Sequence, residues 1–284
     1  MNKYVIFSAI IGEYDKILQP LVVDERFDYI IFSDHLSETN NGVWQIRRIE
    51  YNNPIQTKIA RYVKTHPEKL LPEYEASLWL DANIRITDHR VYDRFIELMD
   101  KGVSVAGIKH PDCDCVYEEL FRVLDFRYES EKVVLKWGEQ LRRKQYTKHA
   151  GLIETNLLFR IHSLPEVMLL DNLWWYYIEL YSRRDQVSFP VALYECGLKC
   201  DLFVPGGQTV RNYEGTEYLK HMNDSSKFNP NEKKAWLMRH YYKHHEDKDK
   251  VANLYYWCYG RKWPVFWATV LGQFYRLKDR LGWF

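Results

Sequence analysis

The run Leu78-Trp79-Leu80-Asp81-Ala82-Asn83 decides how the rest of the chain is read. Three apolar residues lead into an acidic one, then a small one, then an amide. A buried strand has that form where it ends at the carboxyl edge of an α/β sheet, and open sheets of this kind bind ligands outside that edge. Asp81 and Asn83 are two positions apart, so an extended chain would turn both to one side. Oxygen donors so placed suit a hard divalent cation, which commonly arrives with a phosphate group. The stretch points to a metal-assisted nucleotide-sugar site at a strand end.

Outward from it, strand and helix patterns alternate. Tyr4 to Ile11 and Tyr29 to Ser33 are apolar, β-branched runs that suit buried parallel strands. Trp44 to Ile49 is a shorter strand, and Pro54 opens a helix from Ile55 to about His66. Val91 to Asp100 reads as a helix and Val103 to Ile108 as a strand. One charged helix is expected from Tyr117 to Lys136 or beyond. A strand (Thr155 to Ile161), a long helix (Leu164 to Tyr181), a helix opened by Asp185-Gln186 and a strand (Cys200 to Val204) follow. Residues 208–232 read as loop. This alternation over residues 1–207 predicts an α/β fold with a mostly parallel sheet. The composition changes near Asn229-Pro230-Asn231. Two parts are therefore expected, a sheet domain over 1–229 and a helical, basic and aromatic tail over 230–284.

The totals narrow the function classes. The chain has 284 residues, 46% hydrophobic and 16% aromatic, with a net charge of +1. So balanced a charge argues against nucleic acid as a partner. From Lys233 onward there are 11 Lys/Arg against 4 Asp/Glu, which leaves 29 against 35 in the rest. A mildly acidic body thus carries a basic tail. Five cysteines without a CxxC pair suggest reduced thiols and a cytoplasmic setting. Cys113-Asp114-Cys115 after His110 lacks the second ligand pair of a zinc site. The N-terminus enters a strand at once, without a signal-peptide pattern.

Several groups carry possible chemistry. Gly12-Glu-Tyr-Asp15 after the first strand, with Asp34 after the second, suits a nucleoside, and the lack of GxGxxG argues against a dinucleotide. Lys58, Arg61 and Lys64 have mostly helical spacing and suit a diphosphate. Asp185 and Gln186, after Arg183-Arg184, suit sugar hydroxyls, with Asp185 as base or charge stabiliser. His149, Glu154 and Asn156, with His110 on the same rim, suit an acceptor pocket. His240 and His244 are one helical turn apart, with His245 beside them, in a basic segment that reads as surface. His221 or His240 is a candidate to complete a metal shell around Asp81.

Taken in order, Ser8-Ala-Ile-Ile-Gly-Glu-Tyr-Asp15, Asp28-Tyr-Ile-Ile-Phe-Ser-Asp34, Ala60-Arg-Tyr62 with Leu70-Leu-Pro72, Trp79-Leu-Asp-Ala-Asn83, His110-Pro111, Gly151-Leu-Ile-Glu-Thr-Asn156 and Arg184-Asp-Gln186 resemble a glycosyltransferase-like family. That family was long catalogued as a domain of unknown function and includes plant mucilage-related and bacterial polysaccharide-locus proteins. The layout is more remotely similar to glycogenin-like transferases. The resemblance covers about residues 4–205.

It implies a GT-A fold and a nucleotide-sugar donor, a UDP-sugar favoured. It implies transfer to a glycan or lipid-linked glycan in bacterial surface polysaccharide synthesis, such as capsule or O-antigen. A hexosyltransferase-like enzyme, leaning to retention, is expected. Asp81 and Asn83 take the place of the metal-binding motif for Mn²⁺ or Mg²⁺, with Asn where an Asp would bind more tightly. Ala9, Tyr14, Asp34, Lys58, Arg61, Lys64 and Asp81 fall to the donor side. His110, Asn156 and Arg184 fall to the substrate, and Asp185, Gln186 and Glu154 to catalysis. Two other readings are a non-catalytic carbohydrate-binding scaffold and a nucleotidyltransferase acting on sugar phosphates.

The tail contains Tyr255-Tyr-Trp-Cys-Tyr259 and Trp263-Pro-Val-Phe-Trp267, then Leu271, Phe274, Tyr275 and Leu277 with Arg276, Lys278 and Arg280 interleaved. Such a stretch suits an anionic membrane surface. A peripheral location at the inner face of the cytoplasmic membrane is expected.

Overall fold

The computed structural model describes residues 2–125, 128–221 and the single positions 270, 273, 274, 277 and 281. The expected boundary near Asn229, the histidines His240, His244 and His245, and most of the basic, aromatic tail lie outside these residues. The chain divides into two compact units, one of residues 1–112 and 151–225, the other of 113–150 and 226–284.

The first unit is built on an eight-stranded sheet. Its strands are β1 (Tyr4–Ile10), β2 (Phe27–Ser33), β3 (Asn40–Asn41), β4 (Trp44–Arg48), β5 (Ala76–Leu80), β7 (Val105–Lys109), β8 (Ile153–Arg160) and β9 (Asp201–Leu202), in the order β3-β4-β2-β1-β5-β8-β7-β9. Strands β4, β2, β1 and β5 run parallel, as their continuous apolar runs require. Within this mostly parallel sheet, strand β8 is antiparallel to both β5 and β7. Its first residues therefore reach the edge at which β5 ends. A small sheet pairs β6 (Ile84–Ile86) with β10 (Thr216–Tyr218). Both strands were missed, since three residues carry too little periodicity to be seen.

Strand β8 also changes register. Ala106 opposes Phe159, whereas Ile108 opposes Glu154. Such a bulge re-aims side chains and is frequent beside functional sites. Here Thr155 and Arg160, five residues apart, both reach Lys64. Strict alternation would have put them on opposite faces.

Helix α1 (Gln56–Thr65) buries Ile59 and Val63, one turn apart, and stops before His66-Pro67, where the next short helix α2 (Pro67–Leu70) begins. Helix α3 (Arg90–Asp100) buries Val91, Tyr92, Phe95 and Leu98 in the core that also takes Ile6, Ile10, Leu78, Leu80, Leu157 and Phe159. Helix α6 (Pro165–Leu180) starts at a proline and buries Val167, Leu170, Trp174 and Tyr177 at helical spacing. The expected single helix after Asp185 splits. A 3₁₀ turn, Asp185–Val187, precedes α7 (Phe189–Glu195), which carries Pro190 in its first turn.

In the second unit the expected long charged helix is two, α4 (Val116–Asp125) and α5 (Glu131–Arg143). The second is capped by Ser130, whose Oγ accepts from the Val133 amide.

Candidate active site

Lys64 is the centre of the site. It lies on the last turn of α1 and is only 1% exposed. Burying an ammonium ion costs several kcal/mol unless it is paired and hydrogen-bonded. Its Nζ lies 2.5 Å from Asp185 Oδ2, donates to Thr155 Oγ1 at 3.1 Å and stands 3.5 Å from Asp81 Oδ1. The indole rings of Trp79 and Trp174 flank it, at 5.3 and 5.8 Å from their centroids. Arg61, one turn earlier on the same helix, places Nε 3.2 Å from Asp185 Oδ1.

The aspartates are held in turn. Thr155 donates to Asp185 Oδ2 at 2.9 Å, and Trp174 Nε1 donates to the Asp185 carbonyl at 2.9 Å. Trp79 Nε1 donates to Asp81 Oδ1 at 2.7 Å. Burial pushes the Asp185 carboxyl up, but Arg61 and then Lys64 outweigh it and hold the group well below the usual carboxylate range. Burial pulls the Lys64 ammonium down, against the pull of Asp185 and Asp81. Asp185 is thus an ionised, fully engaged carboxylate and a weak base. Its side chain is 4% exposed, against 24% for Asp81, which is the open member of the cluster.

Asp81-Ala82-Asn83 is not extended, as the sequence reading assumed. It is a turn closed by the Ile84 amide donating to the Asp81 carbonyl at 2.9 Å. Asn83 is buried, and its side-chain amide donates to the Leu219 carbonyl at 2.7 Å. The Leu219 amide returns a bond to the Asn83 carbonyl. Asn83 therefore clamps the strand end to the segment after β10. His221 also belongs to that segment. It meets Asp15 Oδ2 at 2.8 Å and lies 4.7 Å, ring to ring, from Tyr14. Among the described residues no three His, Cys, Asp or Glu side chains gather as a metal cluster. A cation delivered with an anionic ligand would find one partly open carboxylate here, Asp81. The charges of Arg61 and Lys64 are already matched by Asp185 and Asp81, so an incoming diphosphate finds no surplus positive charge there.

A second polar group forms around the start of β8. Glu154 receives Arg211 Nη1 at 2.9 and 3.0 Å, and Arg211 lies over the Tyr218 ring at 4.7 Å. Burial raises the Glu154 carboxyl, against the pull of Arg211. Asn156 Oδ1 is buried without a hydrogen-bond partner, and the Asn156 carbonyl accepts from the Asp81 amide at 2.8 Å.

The other expected residues lie as follows. Lys58 does not join Arg61 and Lys64 on Asp185: its Nζ donates to the Glu179 carbonyl at 2.7 Å and ties α1 to the end of α6. Asp34 accepts from the Gly12 amide at 2.8 Å and meets His35 at 2.9 Å. Ala9 is buried on β1 opposite Phe32. His110 is buried and closes a turn, its Nδ1 accepting from the Asp112 amide at 3.2 Å. The Arg184 amide donates to Ser182 Oγ at 3.0 Å, and Gln186 lies in the 3₁₀ turn. His149 pairs with Asp114 at 2.7 Å. Cys113 is buried, and burial pushes its thiol up to about 12, so it stays protonated. Sequence reasoning passed over Thr155, Trp79, Trp174 and Arg211. Trp79 had a usable signal, since residues i and i+2 of a strand share a side. Thr155 had none, because the bulge reverses its face.

The chain matches the model of the TOD1/MUCI70 glycosyltransferase-like domain over residues 1–204. No curated protein matches it. Among solved structures it is similar to WbbM, a bifunctional glycosyltransferase in its apo form, at 10% identity and a TM-score of 0.40. The match covers 71% of this chain and 38% of that one, so the chain spans well under half of that protein's length.

Proposed function

Because the chain belongs to the TOD1/MUCI70 glycosyltransferase-like family, we propose that it moves a sugar from a nucleotide-diphosphate donor, a UDP-sugar favoured, to a glycan acceptor. The observation that carries this reading is the position of Asp81. It is the partly open carboxylate at the end of β5, braced from behind by the buried cluster of Lys64, Asp185 and Arg61. That is where an open α/β sheet receives its ligand.

Within the proposal, Asp81 faces the donor diphosphate. A divalent cation brought with the donor would be held by Asp81 and would offset charge on the leaving group. Lys64 and Arg61, whose charges Asp185 and Asp81 match, would hold the two carboxylates in place rather than act on the diphosphate themselves. Asp185 fixes the two cations and does not act as the base. Glu154, raised by burial, and Asn156, with its vacant acceptor, lie on the other side of β8 and hold acceptor hydroxyls. Gln186 and Arg184, beside Asp185, line the sugar side. The acceptor is proposed to be a glycan, free or lipid-linked, of a bacterial surface polysaccharide.

Hydrolysis of a panel of nucleotide sugars, with and without Mn²⁺, tests the reading. Turnover of one donor, lowered about 100-fold by Asp81→Asn, is expected. Turnover of none, or full turnover by Asp81→Asn, would sink it.

A further inference from the structure

The indole of Trp79 touches both members of the Lys64–Asp81 pair. Its face stands over the Lys64 ammonium at 5.3 Å, and its Nε1 donates to Asp81 Oδ1 at 2.7 Å. Strand spacing makes the second contact: Trp79 in β5 and Asp81 just beyond it are two positions apart, so their side chains leave on one side. The ring is held where it is. It is 2% exposed, and Phe7, its register partner on β1, meets it edge-on at 5.2 Å.

A buried indole needs an acceptor whatever its role. Trp44 and Trp174 meet that need with the backbone carbonyls of Leu18 and Asp185. Trp79 instead aims its N–H at the open carboxylate of the site. Lys64 approaches the same oxygen, with Nζ 3.5 Å from Oδ1. Among the described residues Asp81 Oδ2 takes no hydrogen bond, and the side chain is 24% exposed. Asp185 differs: Arg61 faces its Oδ1, while Lys64 and Thr155 occupy its Oδ2. One aspartate is closed on both oxygens, the other on one.

An aspartate carboxylate turns easily about its last bond, because that torsion has broad, roughly two-fold wells. Its direction is set by whatever holds one of its oxygens. We propose that Trp79 is a positioning residue of the transfer reaction: with Lys64 it ties down Asp81 Oδ1, so that Oδ2 is the oxygen offered to the donor. Lys64 alone does not fix the carboxylate. An ammonium is a point charge on a flexible stem, and this one also serves Asp185 and Thr155. The indole N–H supplies the direction. Trp79 is sealed from solvent and acts only through Asp81. The inference rests on the transferase reading above.

Trp79→Phe keeps a packed ring and removes the N–H. In full-length protein it is expected to lower kcat for donor hydrolysis about tenfold, the worth of one hydrogen bond to a charged group, with KM within about twofold. In an Asp81→Ala background the same change should cost less than about twofold, because its effect passes through the carboxylate. A Trp79→Phe enzyme with the parent's kcat overturns the proposal. So does a tenfold loss that persists beside Asp81→Ala, which is what a purely structural role gives. The contact is also read without turnover. The ¹H–¹⁵N resonance of the Trp79 indole, identified by its loss in Trp79→Phe or, if that variant does not fold, by assignment in the parent, should move upfield in Asp81→Ala. An unmoved resonance overturns the proposal whether or not any donor is hydrolysed. A parent that hydrolyses no donor sinks the transferase reading instead, and the indole signal then decides whether Trp79 orients Asp81.

Discussion

Asp185 and Asp171 are both buried, each within 2.5 Å of a buried cation, yet their carboxyl groups are displaced in opposite directions. Asp185 faces two cations, Arg61 and Lys64, and takes a hydrogen bond from Thr155. It is held well below the usual range although burial opposes this. Asp171, on α6, has Arg160 alone, and burial wins: its carboxyl is pushed up to about 7, with Glu68 adding to the rise. Around it, Arg160 Nε, Asp171 Oδ2 and both Glu68 carboxylate oxygens are buried without hydrogen bonds. His66 and His162 are lowered to about 4 by burial and stay neutral. Lys64 joins the two regions, since Arg160 donates to its carbonyl at 2.6 Å while its Nζ serves Asp185. In the cluster open to the sheet edge every charge has an opposite partner, although Arg61 Nε makes no hydrogen bond. The sealed one is under-paired and keeps its acid close to neutral. A buried charge pair alone therefore does not mark a site; the number of partners and an open member do.

The comparison breaks most visibly at Asp185. Asp185→Asn leaves Arg61 and Lys64 buried with one anion fewer. A loss of about 3–5 kcal/mol in urea unfolding is expected, together with donor turnover. If stability is unchanged, the cluster is not held as described.

Asp171→Asn should behave in the opposite sense. A carboxyl raised in the folded state contributes stability that is present below its unfolded pKa and lost as pH rises through about 7. The parent should lose stability between about pH 4 and 7, approaching about 4 kcal/mol from this group. Asp171→Asn should flatten that limb with turnover per folded molecule unchanged. Asp185→Asn acts at the acid end, because a depressed carboxyl stabilises above its unfolded pKa and loses that effect as pH falls. Matching pH profiles for the two variants would erase the contrast.

Asp81→Asn, at the open position, should lower donor turnover about 100-fold, roughly 3 kcal/mol, while leaving the unfolding midpoint in place. A shifted midpoint would make Asp81 part of the structural brace. The smallest effect is expected for Thr155→Val, which removes one hydrogen bond to Asp185. A cost of about 1–2 kcal/mol and a modest fall in turnover should be measurable. An inert Thr155→Val would mean that the β8 bulge serves no part of the cluster.

Much of this was legible in the residues. The runs Tyr4 to Ile11, Tyr29 to Ser33 and Leu78 to Leu80 are apolar enough to name buried strands, and all three stand in the sheet. Arg61, Lys64, Asp81 and Asp185 were singled out by position, and the structure gathers them. Lys58 was grouped with them because helical spacing defines a face but not which neighbour a long side chain reaches. The extended reading of Asp81 and Asn83 failed because a turn bond between Asp81 and Ile84 depends on β6, whose partner β10 lies far along the chain.

By itself the sequence determined the alternation of strands and helices, the acidic end of β5, the basic face of α1 and the basic, aromatic character of the C-terminal segment. Those are local properties of hydrophobic period and charge. Only the tertiary structure decided that β8 runs antiparallel, that its bulge turns Thr155 toward Lys64, that Asn83 clamps Leu219 and that Asp185 and Asp171 diverge. Strand direction, register and desolvation are set by partners distant in the chain, and no local pattern records them.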